Sequence, residues 1–160
     1  MISLSKEKVK LIMEYVIETL KPQSIAFMRR IGPYGRENYE LMKKLKDWAN
    51  QNNLLQEGII YGIAHDGSMT PPEKRRYDVG IVIDDLSRLS PEVELGAILP
   101  GRYAVFMISH TQEAVSSFWS TVFQELPVNN LTFDYTKPIL ERYKAKLVEL
   151  GLCEMCVPIR

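Results

Sequence analysis

At residues 137–143 the chain reads Lys137-Pro138-Ile139-Leu140-Glu141-Arg142-Tyr143, a short strand-like run with one carboxylate among apolar neighbours. Successive side chains of a strand point to opposite faces, so Glu141 is expected on one face with Ile139 and Tyr143, and Arg142 on the other. Burying an ionised carboxylate is costly unless a cation or a hydrogen-bond donor meets it. Glu141 is therefore solvated, paired with a Lys or Arg of the protein, or available to a ligand.

The composition is typical of one soluble domain without a strong electrostatic field. The chain has 160 residues, of which 46% are hydrophobic, and its 20 Lys and Arg balance its 20 Asp and Glu. A zero formal net charge disfavours general binding to nucleic acid or to an anionic membrane. The start of the chain lacks the apolar core of a signal peptide, and no apolar run reaches the ~18 residues that span a bilayer. We therefore expect a cytoplasmic protein.

The residues that usually bind metals are sparse. Cys153 and Cys156 are the only cysteines, and in a strand their spacing puts them on opposite faces, which suits neither a disulfide nor joint metal ligation. The only histidines, His65 and His110, are far apart in sequence. We expect reduced, structural thiols, no metal site and no cofactor.

The first half of the chain predicts a strand, a helix and two further strands. Residues 5–12 suggest a short helical or frayed start, and residues 14–20 a first strand. The main elements follow as a strand at 24–31, a helix at 36–52, a strand at 57–64 and a strand at 75–83. In the helix, Leu41, Leu45 and Trp48 form one apolar stripe that is expected to face a sheet.

The second half repeats this order, with a strand at 101–108, a helix at 112–126, the Glu141 strand and a terminal strand at 152–159. Val115, Phe118 and Val122 form the apolar stripe of the second helix. Similar strands start 78 residues apart (103 − 25) at Ile25 and Tyr103. We interpret the chain as one α+β domain over 1–160, a duplicated strand-helix-strand-strand module with repeats at about 13–84 and 93–160.

Two such modules are expected to form antiparallel sheets with both helices on one face and the opposite face curved toward a ligand groove between the repeats. The candidate ligand-binding residues are Glu141 and aromatic side chains near strand and helix ends. These are Tyr34, Tyr61, Tyr77, Tyr103, Phe118, Trp119, Phe133, Tyr135 and Tyr143. A carboxylate among aromatic rings suits an organic cation, because both attract positive charge where little water is present.

Five segments resemble the GyrI-like small-molecule-binding domain, in the order in which that family has them, between about Tyr15 and Ile159. They are Arg30-Ile31-Gly32-Pro33-Tyr34-Gly35, Thr70-Pro71-Pro72-Glu73-Lys74-Arg75-Arg76-Tyr77-Asp78, Pro100-Gly101-Arg102-Tyr103-Ala104-Val105, Pro138-Ile139-Leu140-Glu141-Arg142-Tyr143 and Val157-Pro158-Ile159. The resemblance implies the duplicated fold. It also implies either the effector-sensing part of AraC-type and MerR-type transcription regulators or a stand-alone protein, some of which inhibit DNA gyrase. A glutamate matching Glu141 contacts lipophilic cations in multidrug-sensing relatives.

The sequence also departs from the family. The few residues before Tyr15 are too short for the helix-turn-helix domain of the regulators, so direct nucleic-acid binding is not expected. His110 stands where relatives usually have a glycine, which affects the loop that enters the second helix.

Three functions remain open at this stage. The favoured one is a binding protein that senses or sequesters a small, hydrophobic and cationic molecule, with Glu141 as counter-ion. The second is a hydrolase of strained-ring genotoxic compounds, in which Glu141 with Tyr103 or Tyr143 positions a water molecule. The third is a protein-interaction module such as a gyrase inhibitor, for which the surface matters more than the groove.

Overall fold

The order strand-helix-strand-strand occurs twice in the structure, a computed structural model that describes residues 13–56 and 58–160. The predicted helical start at 5–12 lies outside the described residues. The strands are β1 Tyr15–Leu20, β2 Gln23–Ile31, β3 Ile59–Ala64, β4 Arg76–Val82, β5 Glu94–Ile98, β6 Gly101–Ser109, β7 Leu140–Lys144 and β8 Leu152–Pro158. The helices are α1 Arg36–Gln51, α2 Gln112–Val128 and α3 Ala145–Glu149.

All eight strands form one antiparallel sheet in the order β1-β6-β8-β7-β3-β4-β2-β5. The two strand-helix-strand-strand units occupy its two halves, and the central pair β7 and β3 joins them. The α+β class and the antiparallel arrangement are confirmed. The repeat boundaries at about 13–84 and 93–160 stay a prediction.

Two very short connections curl the sheet. β1 lies at one edge, yet only Lys21-Pro22 separates it from β2 near the other edge, and only Leu99-Pro100 separates the edge strand β5 from β6. Two linking residues span about 11 Å at most, so the two ends of the sheet must approach each other. The face enclosed by this curl, which we call the inner face, is filled by apolar side chains. They include Ile25, Tyr61, Ile63, Tyr103, Val105, Leu140 and Cys156.

Both long helices pack on the opposite face, which we call the helix face. On α1, Leu45 and Trp48 are buried against β2 and β4. On α2, Phe118 and Val122 are buried against β6 and β8. The predicted apolar stripes are therefore confirmed, and the central strands β3 and β7 lie between the two helices. One residue of the α2 stripe is polar: Glu125 is buried, which raises its pKa, and no hydrogen bond from the described residues reaches its carboxylate.

The sequence did not predict β5 or α3. β5 is a short edge strand whose side chains are mostly exposed, and α3 has five residues. Neither has enough buried positions to produce a periodic pattern. In the described ranges, 13–56 and 58–160, no helix has the length and apolarity needed to cross a membrane.

Candidate functional site

Glu141 lies at the centre of the sheet, on the helix face. It is on β7, opposite Gly62 of β3 and Met155 of β8. Residues opposite each other in antiparallel strands share a face, and Met155 packs in the core under α2, which fixes the side on which Glu141 points. A ligand at Glu141 would therefore lie on the helix face and not on the inner face, where the sequence predicted the groove. The inner face is closed by its own apolar core.

Two tyrosine hydroxyls hold the Glu141 carboxylate. Tyr77 of β4 donates a hydrogen bond to Oε1 at 2.7 Å, and Tyr143 donates to the same oxygen at 3.2 Å. Among the residues that the structure describes, none forms an ion pair with Glu141 or a hydrogen bond to its Oε2. Pairing with a Lys or Arg of the protein is thus not seen there, and one carboxylate oxygen is available to a ligand.

Gly62 provides the space for this arrangement. A Cβ atom at position 62 would collide with Oε1 of Glu141 and with the hydroxyl oxygen of Tyr77. The absence of a side chain in the middle of β3 therefore allows the carboxylate and the phenol to meet above the strand. Gly62, Tyr77, Glu141 and Tyr143 together form what we call the Glu141 site.

The surroundings of Glu141 favour a carboxyl group that is either protonated or paired with a cation. Burial raises the pKa of Glu141, and the hydrogen bonds from Tyr77 and Tyr143, which stabilise the charged form, only partly offset it. Burial, and next the charge of Glu141, also raise the pKa of both tyrosines far above the usual range. Both phenols therefore stay protonated and remain donors.

Other aromatic side chains border the site. The ring of Tyr34 meets Tyr77 edge-on at 6.1 Å between centroids, and its hydroxyl donates to the Arg76 carbonyl at 2.8 Å. The ring of His110 lies 5.2 Å from that of Tyr143.

Phe118 and Trp119 lie on the helix face, but they belong to the core under α2. Phe118 is buried and contacts Phe106 and Trp119 edge-on, at 5.6 and 5.7 Å. Trp119 is half-buried at the margin of the same cluster. Their part in ligand binding stays a prediction.

The structure does not bring Tyr61 and Tyr103 to Glu141. Both point into the inner face, where they are almost completely buried. The Tyr61 hydroxyl donates to Gln23 Oε1 at 3.4 Å, and that of Tyr103 donates to the Leu99 carbonyl at 2.7 Å. Tyr61 is adjacent in sequence to Gly62, and because neighbours in a strand alternate between faces, Tyr61 points away from the site.

Phe133 and Tyr135 form a separate aromatic row with Phe123. Phe133 contacts Phe123 at 5.3 Å and Tyr135 at 4.6 Å, and Tyr135 is largely exposed. Phe133 pairs with Ile159 next to the end of β8. This row lies outside the Glu141 site as defined by its hydrogen bonds.

Sequence reasoning missed Gly62. A glycine inside a strand often marks a close approach of another group, and this signal could have identified Gly62. Cys153 and Cys156 are buried on opposite faces as expected, and burial raises the pKa of their thiols to about 11 and about 12.

Comparisons with known proteins agree with this architecture. A family model of the GyrI-like small-molecule-binding domain matches residues 13–160. The SPbeta prophage protein YosT of Bacillus subtilis (strain 168), named as a candidate transcriptional regulator, is 41% identical over 150 residues, 92% of this chain and 100% of YosT.

Two solved structures share the fold at low identity. The C-terminal domain of EcmrR has a TM-score of 0.69 at 10% identity, covering 93% of this chain and 98% of that domain. SAV2435, solved with bound tetraphenylphosphonium, has a TM-score of 0.65 at 16% identity, covering 92% and 94%. From the family match and the similarity to YosT, the chain belongs to the GyrI-like small-molecule-binding domain family.

Proposed function

We propose that this domain binds a small, hydrophobic, cationic molecule at the Glu141 site and thereby senses or sequesters it in the cytoplasm. The observation that carries the proposal is the half-buried carboxylate of Glu141, which has two tyrosine donors and, among the described residues, no cationic partner. A ligand cation would supply the missing charge. Binding would then recover the free energy that burial of the carboxylate costs in the free protein.

The aromatic rings support the same ligand class. Tyr77 and Tyr143 hydrogen-bond to the carboxylate, Tyr34 packs against Tyr77, and ring faces attract organic cations in sites that exclude water. The tetraphenylphosphonium bound in SAV2435 belongs to this chemical class. The name of YosT suggests a role in the regulation of transcription, and we propose that such a ligand would control it.

The test uses tetraphenylphosphonium and tetraphenylborate, which have the same shape and opposite charge. At a phosphonium concentration of ~100 Kd, the melting temperature should rise by about 5 to 10 °C. The borate should leave it unchanged. Calorimetric titration should show that Glu141→Gln weakens phosphonium binding by about 1 to 3 kcal/mol, because the variant loses the Coulomb attraction between the carboxylate and the phosphonium charge.

Glu149→Gln is the matched control, because Glu149 is an exposed residue of α3. It should bind the phosphonium as the unmodified protein does. Equal binding of phosphonium and borate, or equal losses in the two variants, would exclude Glu141 as the counter-ion.

One observation supports a second candidate, the hydrolase. Glu141 is hydrogen-bonded to the phenol of Tyr143, one of the two tyrosines considered for positioning water, whereas Tyr103 lies on the inner face. Turnover separates the two functions. A hydrolase would consume a strained-ring substrate, and Glu141→Gln would abolish that consumption, whereas a binding protein would return the compound intact.

A further inference from the structure

The inner face has an open margin beside its closed core. A depression of about 520 Å³ lies there, between the start of β1 and the neighbouring strands β6 and β8. Its walls include the apolar side chains of Val16, Val105 and Met107, and its acidic groups are Glu14 and Glu154. A volume of this size with a mostly apolar lining and a few polar groups is typical of a site for a small molecule.

Strand pairing places these side chains on the inner face. Val105 belongs to the inner core, and Val16 lies opposite it on β1. Met107 follows Val105 by two residues, so it is on the same face, and it lies opposite Glu154 of β8. The Glu141 site is on the helix face, and the sheet itself therefore separates the depression from that site.

The apolar walls of the depression are open to solvent. Val16 is 63% exposed and Met107 is 54% exposed, and large exposed apolar groups that line one depression are typical of a binding surface. Tyr15 also borders the depression, but its ring packs against that of Phe106 on the helix face, 5.5 Å away. The walls therefore offer a ligand aliphatic and thioether groups and not the face of this ring.

The charged groups around the depression leave an excess of negative charge. Oε1 of Glu154 accepts a hydrogen bond from Arg142 Nε at 2.9 Å and lies 3.3 Å from Lys144 Nζ, but none of the described residues donates to Oε2. Glu18 is the second partner of Arg142. Glu14 belongs to none of the ion pairs formed between described residues. Three carboxylates thus meet two protein cations, and one ligand cation would balance them.

We propose that the depression is a second binding site, which takes a primary alkylammonium ion. The ammonium group donates a hydrogen bond to Oε2 of Glu154 and is attracted by Glu14, while the alkyl chain lies against Val16 and Met107. A charged N–H donor suits a carboxylate oxygen best, and a quaternary cation has no N–H group to donate. The inference goes beyond the proposed function and does not depend on it.

Two ligands with the same alkyl chain and the same charge test it: hexylammonium, which has N–H donors, and hexyltrimethylammonium, which has none. Isotope-labelled methionine methyl groups report on each site by NMR, because Met107 lines the depression and Met155 lies opposite Glu141. Hexylammonium should shift the Met107 signal. Its Kd from that shift should be about tenfold lower than the Kd of hexyltrimethylammonium, as expected for one charged hydrogen bond.

Three variants complete the experiment. Val16→Lys places a cation in the depression and should abolish the Met107 shift, whereas Val128→Lys, which changes an equally exposed valine of α2, should retain it. Glu14→Gln, at an exposed position that tolerates substitution, should weaken hexylammonium binding, and it decides the question if Val16→Lys does not fold.

The inference is wrong if hexylammonium leaves the Met107 signal unmoved, or if the two lysine variants respond alike. It is also wrong if hexyltrimethylammonium binds as tightly as hexylammonium, or if Glu14→Gln binds hexylammonium as the unmodified protein does. None of these outcomes bears on the proposed function, which the phosphonium titration of Glu141→Gln decides.

Discussion

Glu141 and Arg142 are adjacent residues of β7 with opposite surroundings. Arg142 points into the inner face, where its guanidinium donates to Glu154 at 2.9 Å and to Glu18 at 2.8 Å. Glu141 points to the helix face and, within the described part of the chain, its carboxylate accepts hydrogen bonds only from phenols. The buried Arg142 is fully countered, whereas Glu141 is not. On the inner face the charge of Arg142 is thus compensated within the protein, whereas for Glu141 on the helix face we propose that a ligand compensates it.

The close approach of Glu141 and Tyr77 to Gly62 can be tested by adding a single methyl group at this position. Gly62→Ala should lower the free energy of unfolding by about 1 to 3 kcal/mol, because overpacking forces Glu141 and Tyr77 apart. It should also weaken tetraphenylphosphonium binding by about tenfold, because the carboxylate must move. Urea unfolding and calorimetric titration measure the two effects.

Gly67→Ala is the control for this substitution. A Cβ atom at Gly67 has no neighbour within 4 Å, so both quantities should stay within error of the unmodified protein. Unchanged binding in Gly62→Ala would mean that the close approach at Gly62 has no part in the site.

The raised pKa of Glu141 predicts how stability depends on pH. Because the folded state holds this proton more tightly than the unfolded state, the contribution of Glu141 to stability is complete below its ordinary pKa. It is lost as the pH rises through the raised, folded-state value. Glu141→Gln removes this titration, so the variant should gain stability relative to the unmodified protein between acidic and neutral pH. Melting curves from pH 4 to pH 8, with Glu149→Gln as reference, would show it, and a constant difference would contradict it.

At the scale of secondary-structure elements, the sequence predicted those elements in which the hydrophobic periodicity extends over many residues. The stripes of α1 and α2 could be identified because apolar residues recur at three- and four-residue steps on the face of each helix that packs against the sheet. β5 and α3 could not, because β5 is an exposed edge strand and α3 is a single short turn. Alternation along β7 correctly separated Glu141 from Arg142, since it depends only on the period of a strand.

The partners of Glu141 could not be predicted in this way. Tyr77 is 64 residues away in sequence and meets Glu141 only because β3 lies between β4 and β7. The same limit explains why Tyr61 and Tyr103 were predicted as site residues. Both have aromatic side chains, as a site for an organic cation requires, but they lie on the inner face. Residue type suggested the chemistry of the site, whereas the order of the strands in the sheet determined which residues form it.

At the scale of the whole molecule, the two halves share one core. The inner face brings Ile25, Tyr61 and Ile63 of the first half against Tyr103, Val105 and Cys156 of the second. The Glu141 site also combines both halves, since Gly62 and Tyr77 come from the first, and Glu141 and Tyr143 from the second. A duplicated sequence order therefore does not make two independent units.

This shared core predicts that both halves unfold in one transition, and the two tryptophans allow each half to be observed. Trp48 is buried on α1, and Trp119 is half-buried on α2. Trp119→Phe leaves a reporter in the first half, and Trp48→Phe leaves one in the second. In each variant, the urea midpoint from tryptophan fluorescence should coincide with the midpoint from far-ultraviolet circular dichroism, because separating the halves would expose the inner-face side chains of both. Trp48→Phe should be the less stable variant, since it also loses the hydrogen bond from Trp48 Nε1 to Ser90 Oγ. Two separate midpoints within one variant would show that each half keeps a core of its own and that the inner face does not couple them.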